Sequence, residues 1–305
     1  MISKFIRLLF FGNYFIGLLA VALTVESTLQ LKVPFNSLAY YGLIFCAPIV
    51  YYTYAYMGAT RYSSASNPRA AWYYTHRTFI KWSQGIFSSI SLILFLYLAG
   101  TNIYSILHLS LLYWAIVLVM LLAAVLYYGL LPAYFFNLNL RNTGWLKPVI
   151  IGFIWACTAN ILPLILLKIE SGTDVPGSAL WVWLFVKNWM FCTVNAIMFD
   201  IKDYAIDANK ELKTFVVRLG IRKTIFFILL PLLVIGMLSL FTFAYIQQFA
   251  LIQVFCNVIP FVLTILVAFS LHTRKKILYY LIVIDGLIMV KAICGILGIL
   301  LASHL

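Results

Sequence analysis

The chain has 305 residues, of which 65% are hydrophobic and only 10% are charged, and its mean hydropathy is +1.04. A soluble domain needs a charged surface, and this composition excludes one. The apolar runs reach the roughly 20 residues with which an α-helix crosses a hydrocarbon layer of about 30 Å. The sequence therefore predicts a multi-pass membrane protein.

The apolar runs predict an all-α bundle of nine transmembrane helices. Helices and closed barrels are the structures that satisfy the backbone within lipid, and these runs lack the alternation of barrel strands. The first run is long for a signal peptide, so we expect it to be retained. We expect one membrane domain, residues 1–305. In chain order the predicted helices are 5–24, 35–57, 83–100, 103–131, 147–168, 178–199, 223–246, 249–271 and 276–303.

The basic residues support this count and predict an orientation, because lysine and arginine gather in cytoplasmic loops. With a cytoplasmic N-terminus, 17 of the 21 basic residues lie inside, Lys32 and Lys168 lie outside, and Lys187 and Lys291 lie within helices. We expect a bacterial cytoplasmic membrane. The inside residues are Lys4, Arg7, Arg61, Arg69, Arg77, Lys81, Arg141, Lys147, Lys202, Lys210, Lys213, Arg218, Arg222, Lys223, Arg274, Lys275 and Lys276.

The net charge of +13 has the same origin. Topology and the attraction of anionic membrane lipids account for it, so we expect membrane lipids as partners and no nucleic acid. The sequence leaves protein partners unknown.

Ionisable residues also fall inside the predicted helices. Asp285 and Lys291 are six residues apart on the last helix, off a common face. We therefore expect Asp285 to pair with another helix, with Lys187 as one candidate, because an unpaired charge at this depth is costly. A structural ion pair is favoured over a proton relay or a contact with an acceptor substrate.

Half of the eight carboxylates fall within twelve consecutive positions, namely Asp200, Asp203, Asp207 and Glu211. If helix six continues through them, the three aspartates share one helix face over about two turns. They would then bind a hard cation such as Mg²⁺ carrying phosphate oxygens, or be neutralised by neighbouring Lys and Arg. A solvated turn of mixed charge is the remaining alternative.

The context of these aspartates resembles one family. An apolar helix ends in N-x4-D-I-x-D-x-x-x-D, and K-T-x-x-V-R-L-G follows after a short polar stretch. This pattern resembles the second aspartate motif of the UbiA superfamily of intramembrane prenyltransferases, although a common version has proline where this chain has Val216. Tyr134, Arg141 and Lys147 are similar to the family's basic loop before helix five. The motif residues are Asn195, Asp200, Asp203, Asp207, Lys213, Thr214, Arg218 and Gly220.

The resemblance implies a nine-helix UbiA-like bundle over nearly the whole chain and transfer of an isoprenyl group from a diphosphate donor to a lipophilic acceptor. It implies that Asp200, Asp203 and Asp207 are catalytic and ligate Mg²⁺, with Asn195 supporting them. In that family the first aspartate motif faces them from the end of helix two, and the metals stabilise the leaving diphosphate. Lys213, Arg218, Arg61 and Arg69 would neutralise phosphate.

This chain lacks the motif of helix two. Glu26 is the only carboxylate in the first 169 residues, and the predicted helix bounds place it on an outside loop. Arg61 and Arg69 occupy the region instead. They could grip the diphosphate beside a one-sided Mg²⁺ site, or the fold could have lost its chemistry and bind an isoprenoid or another lipid. In a third alternative, Arg61 or Arg69 forms a salt bridge with the aspartates and locks the site.

Two other functions remain open on the same fold. One is a non-catalytic lipid-binding or scaffold protein of the membrane. The other is a transporter that uses Asp285 as its coupling residue, which is disfavoured because Gly- or Pro-interrupted helices are not evident.

Overall fold

The computed structural model describes residues 2–54, 56–57, 67–128, 144–174, 179–209, 213–273 and 275–303, and these ranges are all-helical, without a strand. The helices are α1 (Ile2–Phe11), α2 (Tyr14–Leu31), α3 (Leu38–Tyr54), α4 (Pro68–Thr75), α5 (Arg77–Thr101), α6 (Ile103–Leu107), α7 (Leu111–Tyr128), α8 (Leu146–Ser171), α9 (Leu180–Asn209), α10 (Phe215–Leu219), α11 (Ile221–Ile246), α12 (Leu251–Ser270) and α13 (Ile277–Ala302).

Seven helices of the described chain are long and apolar enough to cross a membrane, namely α2, α5, α8, α9, α11, α12 and α13. The chain is therefore a multi-pass membrane protein, as its composition predicts. Two shorter apolar helices, α3 and α7, lie where the second and fourth spans are predicted. The number of nine spans stays a prediction.

The first predicted helix differs from the structure at two boundaries. The predicted helix 5–24 is broken at Asn13, whose left-handed backbone (φ 65°) separates α1 from α2. Asparagine tolerates this conformation, and its side chain is held by donating to Thr53 and Tyr73 at 3.1 Å each. Because α2 then runs to Leu31, Glu26 lies within a helix, and its predicted place on an outside loop is wrong.

The packing order of the helices positions the interior. Six of them close a ring in which each contacts the next: α2, α8, α9, α11, α12, α13 and α2 again. The α3 helix packs on α2 and also on α5, while α7 packs on α8. Since lipid tails are as apolar as leucine, such helices associate through close packing and polar contacts rather than through the hydrophobic effect.

Glycine permits the closest of these approaches. A Cβ atom at Gly152 of α8 would collide with the Thr193 side chain and the Trp189 carbonyl of α9. The two helices therefore lie backbone to backbone at this point. This contact fixes the start of α8 beside the last turns of α9.

Within the described chain, three helices contain a single π-turn, which is a local widening common at functional positions. The π-turns are Cys157–Ile161 in α8, Ile225–Leu229 in α11 and Tyr280–Ile284 in α13. The first contains the buried Asn160, and Asp285 follows the third directly. At both places the ladder of helix hydrogen bonds is interrupted beside a buried polar side chain.

The two ends of the bundle differ in charge. We use the term basic end for the one at which α8, α11 and α13 begin and α9 and α12 end. Its described basic residues on and between these helices are Lys147, Lys202, Lys213, Arg218, Arg222, Lys223, Lys275 and Lys276. The opposite end of the same helices carries Lys168 beside Asp174, at 2.6 Å.

Candidate functional site

The three aspartates of the candidate site, called the acidic cluster below, lie on the last turns of α9 at the basic end. The helix runs unbroken to Asn209, so helix six does continue through them, beyond its predicted end at 199. Asp200 and Asp207 are buried, with 1% and 6% of their surface exposed, whereas the Asp203 side chain is about a third exposed. The cluster thus has a buried and a solvated part.

Lys147 is the cation that contacts the buried part. It lies in the first turn of α8, where its Nζ is 2.6 Å from Asp200 Oδ1 and 3.9 Å from Asp207 Oδ2. The first distance is that of a charge-assisted hydrogen bond. The close approach of α8 and α9 at Gly152 brings the ammonium group to this position.

Asp203 does not join the other two aspartates. Its carboxylate lies 3.3 Å from the ammonium group of Lys202, its neighbour along the chain. Among the residues that the structure describes, no three His, Cys, Asp or Glu side chains are arranged to hold a metal ion. The predicted three-aspartate site is therefore brought together only in part, at Asp200 and Asp207.

Two buried acceptors of α9 lack partners. Asp200 Oδ2 and Asn195 Oδ1 accept no hydrogen bond in the described chain. The amide of Asn195 donates backwards to the Phe191 carbonyl at 3.1 Å, so its oxygen is left over. Buried acceptors without partners cost about 1–3 kcal/mol each, and such atoms in a native fold call for a donor or a cation.

These observations test whether Mg²⁺ fits the site. Mg²⁺ takes oxygen ligands, and one or two carboxylates suffice when substrate phosphates supply others. Asp200 and Asp207 already converge on one cation, the Lys147 ammonium group, and Asp200 has an oxygen to spare. The donor set therefore fits a two-carboxylate site, with Asp203 outside it.

Arg69, a predicted phosphate ligand, is buried elsewhere. Its guanidinium donates to the Phe11 carbonyl at 3.1 and 3.3 Å and to Asn13 Oδ1, and it stacks on Tyr56 at 4.3 Å. A cation at the last carbonyl of α1 also complements the helix dipole. Burial raises the pKa of the Tyr73 phenol in this cluster, and Arg69 opposes that shift. In this arrangement Arg69 holds the corner between α1 and α2 and contacts none of the aspartates.

Arg61, the other basic residue predicted in the place of the first motif, lies outside the described residues, as do Tyr134 and Arg141. The salt bridge to the aspartates that the third alternative gives to Arg61 or Arg69 is formed, among the described residues, by Lys147. The sequence had marked Lys147 only as part of a basic loop.

The K-T-x-x-V-R-L-G segment forms a short connection beside the cluster. Thr214 caps α10 by accepting from the Val217 amide at 3.2 Å, and Val216 is fully buried. Gly220 ends the turn with φ 79°, which favours glycine. Lys213 and Arg218 are exposed and form no ion pair with a described residue.

The segment is also anchored to the start of α8. A Cβ atom at Gly144, which has φ 55°, would collide with the Lys213 carbonyl. The Lys213 backbone therefore lies against the turn that leads into Lys147. Lys213 and Arg218, which are predicted to neutralise phosphate, are thus held at the same end as the acidic cluster.

The sequence did not reveal a second buried polar assembly, which we call the Glu26–Lys291 network. Lys291 Nζ lies 2.6 Å from Glu26 Oε2, both side chains are 1% exposed, and Lys291 also donates to Asn188. Each buried side-chain nitrogen and oxygen of the network has a hydrogen-bond partner. Its members come from α2, α8, α9 and α13: Glu26, Ser27, Gln30, Asn160, Asn188 and Lys291.

The predicted partner of Asp285 is wrong. Lys187 donates instead to Asn257 Oδ1 of α12 at 2.7 Å and lies 5.0 Å from the Trp183 ring. Asp285 is 7% exposed and forms no salt bridge with a described residue. The ion pair expected for Asp285 is therefore not formed with a described residue, and the buried ion pair between spans joins Lys291 to Glu26 instead.

Comparison of the chain with protein-family models, with curated proteins and with solved structures gave no match in any of the three.

Proposed function

We propose that this chain is an intramembrane prenyltransferase of the UbiA type, with nine spans and a one-sided Mg²⁺ site at the basic end. The observation that carries the proposal is the convergence of the buried Asp200 and Asp207 on a single cation, with unpartnered acceptors at Asp200 and Asn195. Such oxygens suit a metal that carries a diphosphate. The motif to which they belong resembles that of the family.

The proposed reaction breaks the C1–O bond of an allylic diphosphate and joins C1 to a nucleophilic carbon of a lipophilic acceptor, which then loses a proton. Mg²⁺, when bound, supplies the positive charge that stabilises the departing diphosphate. Asp200 and Asp207 would hold the metal, with Asp203 beside them at the surface. Lys147, Lys213 and Arg218 add positive charge at this end of the bundle.

We further propose that the basic end faces the cytoplasm of a bacterium, since lysine and arginine gather on that side of a membrane. The donor would then reach the site from the cytoplasmic side, and the isoprenyl chain and acceptor would come from the lipid phase.

The test is an assay of the purified protein in lipid nanodiscs with Mg²⁺, isoprenyl diphosphates of several lengths and aromatic acceptors. We expect pyrophosphate and a prenylated product in equal amounts. Asp200→Asn should lower the rate by on the order of 100-fold, as does the loss of one strong electrostatic contact to a transition state. Asp174→Asn, which changes an exposed carboxylate at the opposite end, is the matched control and should leave the rate unchanged.

A second candidate function is favoured by the Lys147–Asp200 ion pair. The Lys147 ammonium group already supplies both carboxylates with a counter-charge, which suits a non-catalytic isoprenoid- or lipid-binding protein. Absence of product with every donor and acceptor, together with donor binding that Asp200→Asn leaves intact, would replace the first function by this one.

A further inference from the structure

A groove at the basic end is separate from the acidic cluster. It has a volume of about 460 Å³ and lies between the first turns of α11 and the end of α12. Its wall is apolar and aromatic, with the rings of Phe226 and Phe269 meeting edge to face at 5.6 Å. The lining residues are Ile221, Arg222, Ile225, Phe226, Phe269 and His272.

The two polar residues of the groove are exposed and have unused donors or acceptors. Arg222 forms no ion pair with a described residue, so its guanidinium is available to a ligand. His272 donates from Nδ1 to the Phe269 carbonyl at 2.5 Å, so its second ring nitrogen, Nε2, is available to a ligand. The groove therefore combines an apolar wall with a polar, positively charged rim.

The sequence on either side of this rim contains no acidic residue. Between Glu211 and Asp285 the sequence contains no aspartate or glutamate, while Lys223, Lys275 and Lys276 lie close to the groove in sequence. Uncompensated positive charge at the membrane surface attracts anionic lipid headgroups. The counter-ion of Arg222 must therefore come from outside this part of the chain.

We propose that this groove binds an anionic phospholipid, whose phosphate contacts Arg222 and His272 and whose acyl chain lies on Phe226 and Phe269. Arginine matches phosphate geometry through its planar set of N–H donors. The aromatic wall distinguishes a lipid from a free phosphate ion, which would gain nothing from apolar contacts. The site is independent of prenyl transfer and holds for either candidate function.

The experiment is native mass spectrometry of the full-length protein in detergent, with phosphatidylglycerol and phosphatidylcholine of identical acyl chains as probes. We expect phosphatidylglycerol to be retained in preference. Arg222→Ala should weaken its binding by about fivefold, the effect of one basic side chain at an anionic headgroup. Lys223→Ala removes the same charge from the adjacent position, which does not line the groove, and should change the binding by less than about twofold.

Further measurements complete the test. Phe226→Ser should also weaken lipid binding, since it removes apolar wall and leaves every charge in place. Equal losses in Arg222→Ala and Lys223→Ala would show diffuse attraction to the surface and overturn the proposal. Complete competition by inorganic phosphate would show an anion site without lipid, and it too would overturn the proposal. Unchanged thermal unfolding of the variants shows that they are folded.

Discussion

The Glu26–Lys291 network and the acidic cluster are the two regions of the described chain that contain a buried ion pair, and they differ in how completely their polar atoms have partners. Both use α9, where Asn188 belongs to the network and Asn195 lies near the cluster. Asn188 accepts from Lys291 and donates to Asn160, whereas Asn195 leaves its oxygen without a partner.

This difference separates structure from function. A buried polar group with every partner in place holds helices together, and removing one partner leaves another unpaired. A buried acceptor without a partner contributes no such contact and is available to a ligand. We therefore infer that the network stabilises the bundle and that the acidic cluster is the better candidate for a ligand site.

The largest expected effect is that of Lys291→Met. It leaves the Glu26 carboxylate buried without its cation, so the free energy of unfolding should fall by about 3–5 kcal/mol. Thermal unfolding in detergent, followed by circular dichroism, measures the loss. The double variant Glu26→Gln with Lys291→Met should recover part of it, and an unchanged Tm in Lys291→Met would refute the structural role.

The two asparagines of α9 form a matched pair, since they are of one residue type and are 1% and 2% exposed. Asn188→Leu breaks contacts to Lys291 and Asn160 and should cost about 1–3 kcal/mol. Asn195→Leu removes an oxygen that has no partner and should cost less than about 1 kcal/mol. Equal losses of Tm would remove the distinction between the two regions.

Lys147→Ala tests whether the acidic cluster needs a cation for stability. The loss of the ammonium group leaves Asp200 and Asp207 facing each other, so stability should fall by about 1–3 kcal/mol. Millimolar Mg²⁺ should then restore Tm in the variant more than it raises Tm in the unaltered protein. Lys202→Ala, which removes the same charge from the solvated part of the cluster, is the control and should show no such gain.

The smallest effect is expected for Asp203→Asn. Its ion pair with Lys202 is partly exposed, and such pairs contribute about 0–1 kcal/mol. Tm should therefore change by no more than a degree or two. A loss as large as that of Lys147→Ala would place Asp203 within the buried site after all.

Much of the site could be predicted from residue types and spacing. The three aspartates repeat at helical intervals, so their common place on α9 followed from the continuation of the helix. Lys147 could not be identified as their partner, because it is 53 residues away and meets Asp200 only where α8 and α9 touch at Gly152. Glu26 is predicted in a loop because the first helix is predicted to end at residue 24. In the structure the break at Asn13 makes α2 begin at Tyr14, and α2 then runs to Leu31.

Composition and periodicity are local properties of the chain, so they suffice to predict a helical membrane protein with many basic residues and a close group of aspartates. Tertiary structure decided which charges meet. Glu26 and Lys291 are 265 positions apart along the chain and meet only because α13 packs on α2, and no local pattern encodes that contact. Which charged side chains meet in a bundle depends on the rotation and the axial position of each helix relative to its neighbours. The packing of all the helices together sets both.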